Sequence, residues 1–290
     1  MSAAAPTLVI LAAGAASRYG SPKQLEPMGP GGATVMDYTI HDARQSGFGS
    51  VVLVIRREME SLFAERIAAK WKATMPVAFA YQDVPATRTK PWGTGDAVLA
   101  ASSRVSGPFA VANADDFYGR SAITALGKFL GRAARNEYGV VSYPLRTTLT
   151  ESGGVNRALC KRNADGWLED IEELFDLRPT PKGARESATG RELPGDAPVS
   201  MNLWGFTPLL FDQLHSAFAT FQKSHANDPK SEFLLPDVIR AEIKSGGARV
   251  QVLDGGDEWC GVTYPADRDR VARFLETRVR AGAYPTEPWR

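Results

Sequence analysis

Residues 11–25 read Leu-Ala-Ala-Gly-Ala-Ala-Ser-Arg-Tyr-Gly-Ser-Pro-Lys-Gln-Leu, a run of small residues followed by two permanent positive charges. Small residues at 12 to 16 let backbone N–H groups approach a ligand closely, and such loops cradle phosphate oxygens. Arg18 and Lys23 add charge that would stabilise a triphosphate and a departing pyrophosphate. Two other phosphate loops are excluded. A Walker A loop needs glycine five residues after Gly14, where Tyr19 stands, and a dinucleotide fingerprint needs glycine at Ala16. An ordinary strand-to-helix turn with surface Arg and Lys is the plain alternative. Further along, Asn113-Ala114-Asp115-Asp116 places adjacent carboxylates after an apolar run. Such a pair is costly unless solvated or bound to a cation, and Mg²⁺ takes one or two carboxylates with water and phosphate oxygens. For Asp116, an Asx turn with helix capping is the alternative.

These groups need elements to carry them. Residues 7–11, 50–55, 77–81 and 109–112 are short apolar, β-branched runs that read as buried parallel strands. Helical stretches separate them at 34–45, 58–72 and 94–103. The alternation across the first 135 residues indicates βαβ units, with ligand loops at the strand C-terminal ends. From 139 the pattern changes to strands at 139–144, 155–162 and 167–173 without helices between them. Residues 176–198 are rich in Pro, Gly, Arg and Glu with no apolar period, and read as a long polar loop. A strand at 199–206, helices at 208–223 and 235–244, a strand at 248–253 and a helix from 267 to 281 complete the chain. The expectation is an α/β fold in a single domain over 1–290, with a first half at 1–135 and a second half at 136–290.

The run from Leu11 to Leu25 resembles the signature of the sugar-nucleotide pyrophosphorylase and nucleotidyltransferase superfamily, L-A-A-G, two or three residues, S/T-R, then P-K. In its short form it is closest to the molybdenum-cofactor cytidylyltransferases. The resemblance implies a Rossmann-like mixed, mainly parallel sheet flanked by helices, of nucleoside-diphospho-sugar transferase type, with a β-rich acceptor-binding insertion. It also implies that Leu11, Ala12, Ala13 and Gly14 line the nucleotide, and that Arg18 and Lys23 grip its phosphates. Gln82, followed by Gly93-Thr94-Gly95-Asp96-Ala97-Val98, resembles the base-recognition segment. There Thr94 would cap a helix whose free N–H groups face the ligand, and Gln82 could both donate to and accept from a base edge. Asp96 stands where members commonly carry histidine. Asp115 resembles the family's metal aspartate. Trp259 to Asp267 resembles the closing motif, whose second metal contact falls here on Thr263, with Gly261 where some relatives have an aspartate and Asp257 or a water as substitutes. Glu173, Asn202 and Glu232 correspond to positions that contact the sugar. A solvated strand-edge carboxylate at Glu173 and a turn-stabilising amide at Asn202 are the alternatives; Met201, Trp204 and Phe206 read as core.

The expected chemistry is in-line attack of a phosphorylated acceptor, foremost a sugar 1-phosphate, on the α-phosphorus of a nucleoside triphosphate, with Mg²⁺ and release of pyrophosphate. An acceptor phosphate is already a nucleophile at neutral pH, so positioning and charge neutralisation suffice. The alternatives are a cytidylyltransferase acting on a non-sugar phosphate, a metal-dependent glycosyltransferase of related fold, and a non-catalytic nucleotide sensor. A formal net charge of +1 over 290 residues gives no prior for nucleic acid or a membrane surface. Two distant cysteines, Cys160 and Cys260, fit no metal spacing, and the N-terminal residues lack the basic region of a secretory signal, so a cytoplasmic protein is expected. The oligomeric state has no signature in the sequence.

Overall fold

The segment Thr7–Leu11 forms β1, apolar after its first residue and buried along almost its whole length. Such a strand needs cover on both faces, and the fold supplies it. A computed structural model of the chain describes residues 4–14, 22–86, 88–226, 228–256 and 258–290. After β1 come α1 (Val35–Gln45), β2 (Ser50–Ile55), a helical run over 57–71 containing α2 (Glu60–Phe63) and α3 (Ala69–Trp71), and β3 (Val77–Tyr81). Thr34 caps α1, and Asp37 returns its carboxylate to the Thr34 N–H at 2.8 Å. Next are α4 (Thr94–Ala100), β4 (Phe109–Asn113), a two-residue β5 (Asp116–Phe117) and α5 (Arg120–Leu130). Strands β3, β2, β1 and β4 are parallel neighbours in that order. Leu11 pairs in register with Asn113, so the loop after β1 and the acidic turn after β4 leave the sheet side by side.

The second half continues the same sheet with β6 (Glu137–Pro144), β7 (Val155–Arg162), β8 (Leu168–Thr180), β9 (Gly183–Glu186), β10 (Glu192–Pro194) and β11 (Pro198–Phe206). The helices α6 (Leu209–Ser224) and α7 (Leu235–Ser245), the strands β12 (Arg249–Asp254) and β13 (Cys260–Gly261), and α8 (Arg268–Arg280) follow. Residues 176–198 are therefore no loop: they hold the end of β8 and all of β9 and β10. The alternation is masked because charged residues face water while single apolar ones, Leu177, Ala184 and Leu193, turn inward onto Leu145 and Val199. Helix α5 was likewise not expected. Its Gly127 permits close approach to α1, since a Cβ there would sit 3.0 Å from the Ser46 carbonyl.

Strand β11 is where the two halves meet. One edge pairs with β6 at Pro198 to Ser200 and again at Trp204 and Gly205. The other pairs with β7 through Val199 and Ser200, then with β4 through Trp204 to Phe206. The switch occurs at a bulge containing Asn202, whose φ of 60° lies in the left-handed region. Two ladders leaving one strand edge in succession must diverge, and a cleft opens between them. Met201, Trp204 and Phe206 are buried, as expected of core residues. Among the described residues no helix is long and apolar enough to cross a membrane.

Candidate active site

A cavity of about 730 Å³ occupies this cleft, within the range of small-molecule sites. Among the residues lining it are Lys23, Thr94, Asp115 and Asn202. Glu173, Glu232 and Thr263 line it too, so it gathers expected positions from both halves of the chain.

Lys23 Nζ donates to Asp115 Oδ2 at 2.9 Å and to the Val262 carbonyl. A carboxylate and a carbonyl oxygen thus converge on one positive charge, the arrangement of hard oxygen donors that Mg²⁺ also takes. The ammonium stands where a cation is wanted, so the donor set fits the metal. Among the described residues no group of three or more His, Cys, Asp or Glu could hold a metal.

Asp116, next in the chain, also borders the cavity, though protein covers most of its surface. It is 8% exposed. Burial first, and then the charge of Asp115, push its carboxyl up to about 7. It caps no helix; Gly119 occupies the N-cap of α5. Its carboxylate accepts from Asn113 Nδ2 at 2.9 Å, Asn113 Oδ1 accepts from Asn202 Nδ2 at 2.7 Å, and Asn202 Oδ1 accepts from Trp204 Nε1 at 3.0 Å. This line of amides crosses the fork of the sheet, and each amide bonds through both ends. Gly261 completes the wall, because a Cβ there would overlap Asp116 Oδ1.

Arg157 escaped the sequence reading. It lies on β7, is 7% exposed, and lines the cavity. Burial pulls its guanidinium down to about 10, opposed by the charges of Asp116, Glu173 and Asp267. Its Nη atoms donate to the carbonyls of Asn156 and Thr148, it sits 5.2 Å from the Trp259 ring centroid, and its Nε has no partner among the described residues. A buried arginine amid carboxylates is a structural counter-charge, and the only signal for it in sequence is the basic residue inside an apolar strand pattern. Asp267 organises the closing motif: it accepts from the Tyr264 and Thr263 N–H groups at 2.8 and 3.2 Å and from Thr150 Oγ1 at 2.8 Å.

The nucleotide-side positions are more dispersed. Ala12 N–H donates to the Val54 carbonyl at 2.8 Å, and Arg56 Nε donates to the Ala13 carbonyl at 3.1 Å. Gly14 is exposed beside Gln24. Gln82 is 6% exposed, and its Nε2 donates to the Gly93 carbonyl and to Asp96, each at 2.8 Å. Gln82 and Asp96 therefore brace the turn entering α4, and burial raises the Asp96 carboxyl. Thr94 does not cap α4: Gly93, with φ 113°, takes the N-cap, and Thr94 Oγ1 accepts instead from the Leu235 N–H at 3.0 Å, the first residue of α7. The long-range partner outcompetes the local one because α7 begins against this turn. Glu232, on the segment leading into α7, pairs with Lys90 at 2.7 Å. Arg18 and Asp257 lie outside the described residues.

Residues 8–141 match the family model of the MobA-like NTP transferase domain. Over 281 residues the chain is 38% identical to the bifunctional protein GlmU of Hyphomonas neptunium, a match covering 94% of this chain and 52% of that protein. The chain thus spans about half the length of this relative. Two solved structures share the fold. The inositol-1-phosphate CTP transferase of T. maritima superposes with a TM-score of 0.63 at 15% identity, covering 97% of this chain and 99% of that one. A UDP-glucose pyrophosphorylase in complex with UDP-glucose superposes with a TM-score of 0.64 at 15% identity, covering 93% and 98%.

Proposed function

We infer, from the match of residues 8–141 to the MobA-like NTP transferase domain and from the GlmU relative, that the chain is a nucleotidyltransferase, and we propose that it joins a nucleoside monophosphate to a sugar 1-phosphate or a closely similar phosphorylated acceptor. The observation that carries this reading is the bond between Lys23 and Asp115 inside a cavity also lined by Glu173 and Asn202. One polyphosphate could meet Lys23 directly and Asp115 through a bound cation, while its partner occupies the acceptor half.

In this scheme the acceptor phosphate oxygen forms a bond to the α-phosphorus, and the bond from that phosphorus to the bridging oxygen breaks. The electron pair leaves with pyrophosphate. Lys23 and Arg18 hold the charge that grows on the leaving group. Backbone groups of Leu11 to Gly14 and the turn at Gly93 and Thr94 position the nucleotide, with Gln82 bracing that turn. Glu173, Asn202 and Glu232 orient the acceptor. Asp115, with Thr263 nearby, would hold a Mg²⁺ ion, which neutralises phosphate charge and polarises the P–O bonds. No side chain needs to remove a proton from the nucleophile. His41, the histidine of α1, is buried away from the cleft, with Nδ1 bonded to the Pro288 carbonyl.

A grid of five nucleoside triphosphates against sugar 1-phosphates, cyclitol phosphates and alcohol phosphates tests this reading. Pyrophosphate release with at least one pair is expected. In a parallel assay with nucleotide sugars, release of nucleoside diphosphate would instead identify a glycosyltransferase. Nucleotide binding without turnover across the grid would identify a sensor.

A further inference from the structure

Phe175 is the one large hydrophobic side chain left exposed among the described residues, at 55%, and it lines the cavity that holds Lys23 and Asp115. Its display is built into the backbone. Val155 of β7 faces Leu177 of β8, but Arg157 faces Leu174, so β8 carries an extra residue at 175–176. A bulge of this kind re-aims the side chain beside it. Asp176 has φ 47°, and its position is fixed from several sides: its N–H donates to Asn156 Oδ1 at 3.0 Å, and its carbonyl accepts from Ser187 Oγ at 2.9 Å. Gly154 leaves room, since a Cβ there would overlap the Asp176 carboxylate. The only other described non-glycine residue with positive φ is Asn202, in the fork bordering the same cleft. Strain of this kind persists where the surroundings over-determine it, and it collects at functional sites.

The sheet order says what the ring faces. From β4, which ends in the acidic turn, β8 is reached through β11 and β7, roughly 14 Å across three strand spacings. The segment after β3 that carries Gln82 lies in the opposite direction along the sheet. In an in-line transfer the acceptor oxygen enters opposite the departing pyrophosphate while the nucleoside stays attached to phosphorus; with the Gln82 segment on one side of β4 and β8 on the other, β8 is assigned to the acceptor. Glu173 and Phe175 stand two residues apart, and both line the cavity. A carboxylate for hydroxyl groups and an apolar ring for carbon–hydrogen bonds form the pair of surfaces that a polyhydroxylated ring presents.

Resting on the nucleotidyl-transfer reading, we propose that Phe175 is an acceptor-specificity residue: its ring stacks on the C–H face of a saturated cyclic acceptor, a phosphorylated pyranose or cyclitol, rather than meeting an open-chain alcohol phosphate. A preferred cyclic acceptor is first identified from pyrophosphate release by the wild-type protein. Phe175→Ala should then raise KM for that acceptor about fivefold, the worth of one ring contact, with kcat and the nucleotide KM nearly unchanged. Phe175→Tyr and Phe175→Trp should restore it. An unchanged acceptor KM, or a rise in the nucleotide KM instead, overturns the assignment. So does a change of oligomeric state in Phe175→Ala by light scattering, which would make the ring an interface residue. Wild-type turnover with glycerol phosphate but with no cyclic acceptor sinks this inference and leaves nucleotidyl transfer standing. Absence of pyrophosphate with every acceptor sinks the transfer reading itself.

Discussion

Asn202 donates its Nδ2 to Asn113 Oδ1 at 2.7 Å across 89 residues of sequence, and that bond decides which way round the Asn113 amide sits. With its oxygen engaged, Asn113 presents Nδ2 to Asp116. An amide rotated by half a turn would set oxygen against carboxylate. Asn202→Ala should therefore lower kcat about tenfold, or roughly 1.4 kcal/mol. Asn202→Gly should lose similar activity yet be more stable than Asn202→Ala by about 1 kcal/mol, because only the alanine is strained at φ 60°. Pyrophosphate release and urea denaturation separate the two effects.

Lys23→Ala should cut turnover by at least about a hundredfold, the scale of losing one preorganised charge at a transition state. The fold should hardly notice. The pair with Asp115 is part-exposed, with side chains 29% and 36% accessible, and such pairs contribute about 1 kcal/mol or less. Activity within tenfold of wild type would remove Lys23 from the reaction.

Arg157→Met keeps the bulk of the side chain and deletes its charge. The carbonyls of Thr148 and Asn156 then lose donors, and Asp116 loses an opposing charge. A loss of about 3 kcal/mol in denaturant unfolding is expected, as for other broken buried charge clusters. Arg157→Lys should recover only part of it, since an ammonium cannot reproduce the planar fork.

Asp42 supplies a pH dependence remote from the cleft. Burial raises its carboxyl to about 6, against hydrogen bonds from Tyr284 at 2.6 Å and Arg120 at 3.1 Å. Because the folded value lies above the unfolded one, the native state holds the extra proton between about pH 4 and 6. Stability from this group is present below that window and is lost as pH rises through it. Relative to Asp42→Asn, the wild type should lose up to about 3 kcal/mol across those two units. Tm measured for both proteins from pH 4 to 7 tests the sign.

Thr94→Val should cost about 1 kcal/mol, by leaving the Leu235 N–H without its acceptor, while Thr94→Ser should not. Thermal unfolding of both variants reads the difference.

The parallel half was legible because each of its strands is a short apolar run closed by turn residues, and the loop at 11–25 carries its charges at fixed spacing. Lys23 and Asp115 stand out for the same reason, and their side chains meet at 2.9 Å. What stayed hidden is non-local. The Asn113 to Asn202 bond and the bulge behind it depend on a strand that changes partners, and no short window encodes that. Thr94 was read as the cap of its own helix because a cap is a local pattern, whereas its real partner lies 141 residues away. The strands between 176 and 194 were missed because their apolar residues are few and isolated. Their cover comes from Leu145 and Val199.

The fork at β11 has a mechanical corollary. Both ladders bordering the cleft are hydrogen-bonded to one continuous strand, so the gap between them is fixed when the sheet forms and cannot close like a jaw. Substrates are met by a slot of preset width. The work of recognition falls to the side chains that line it.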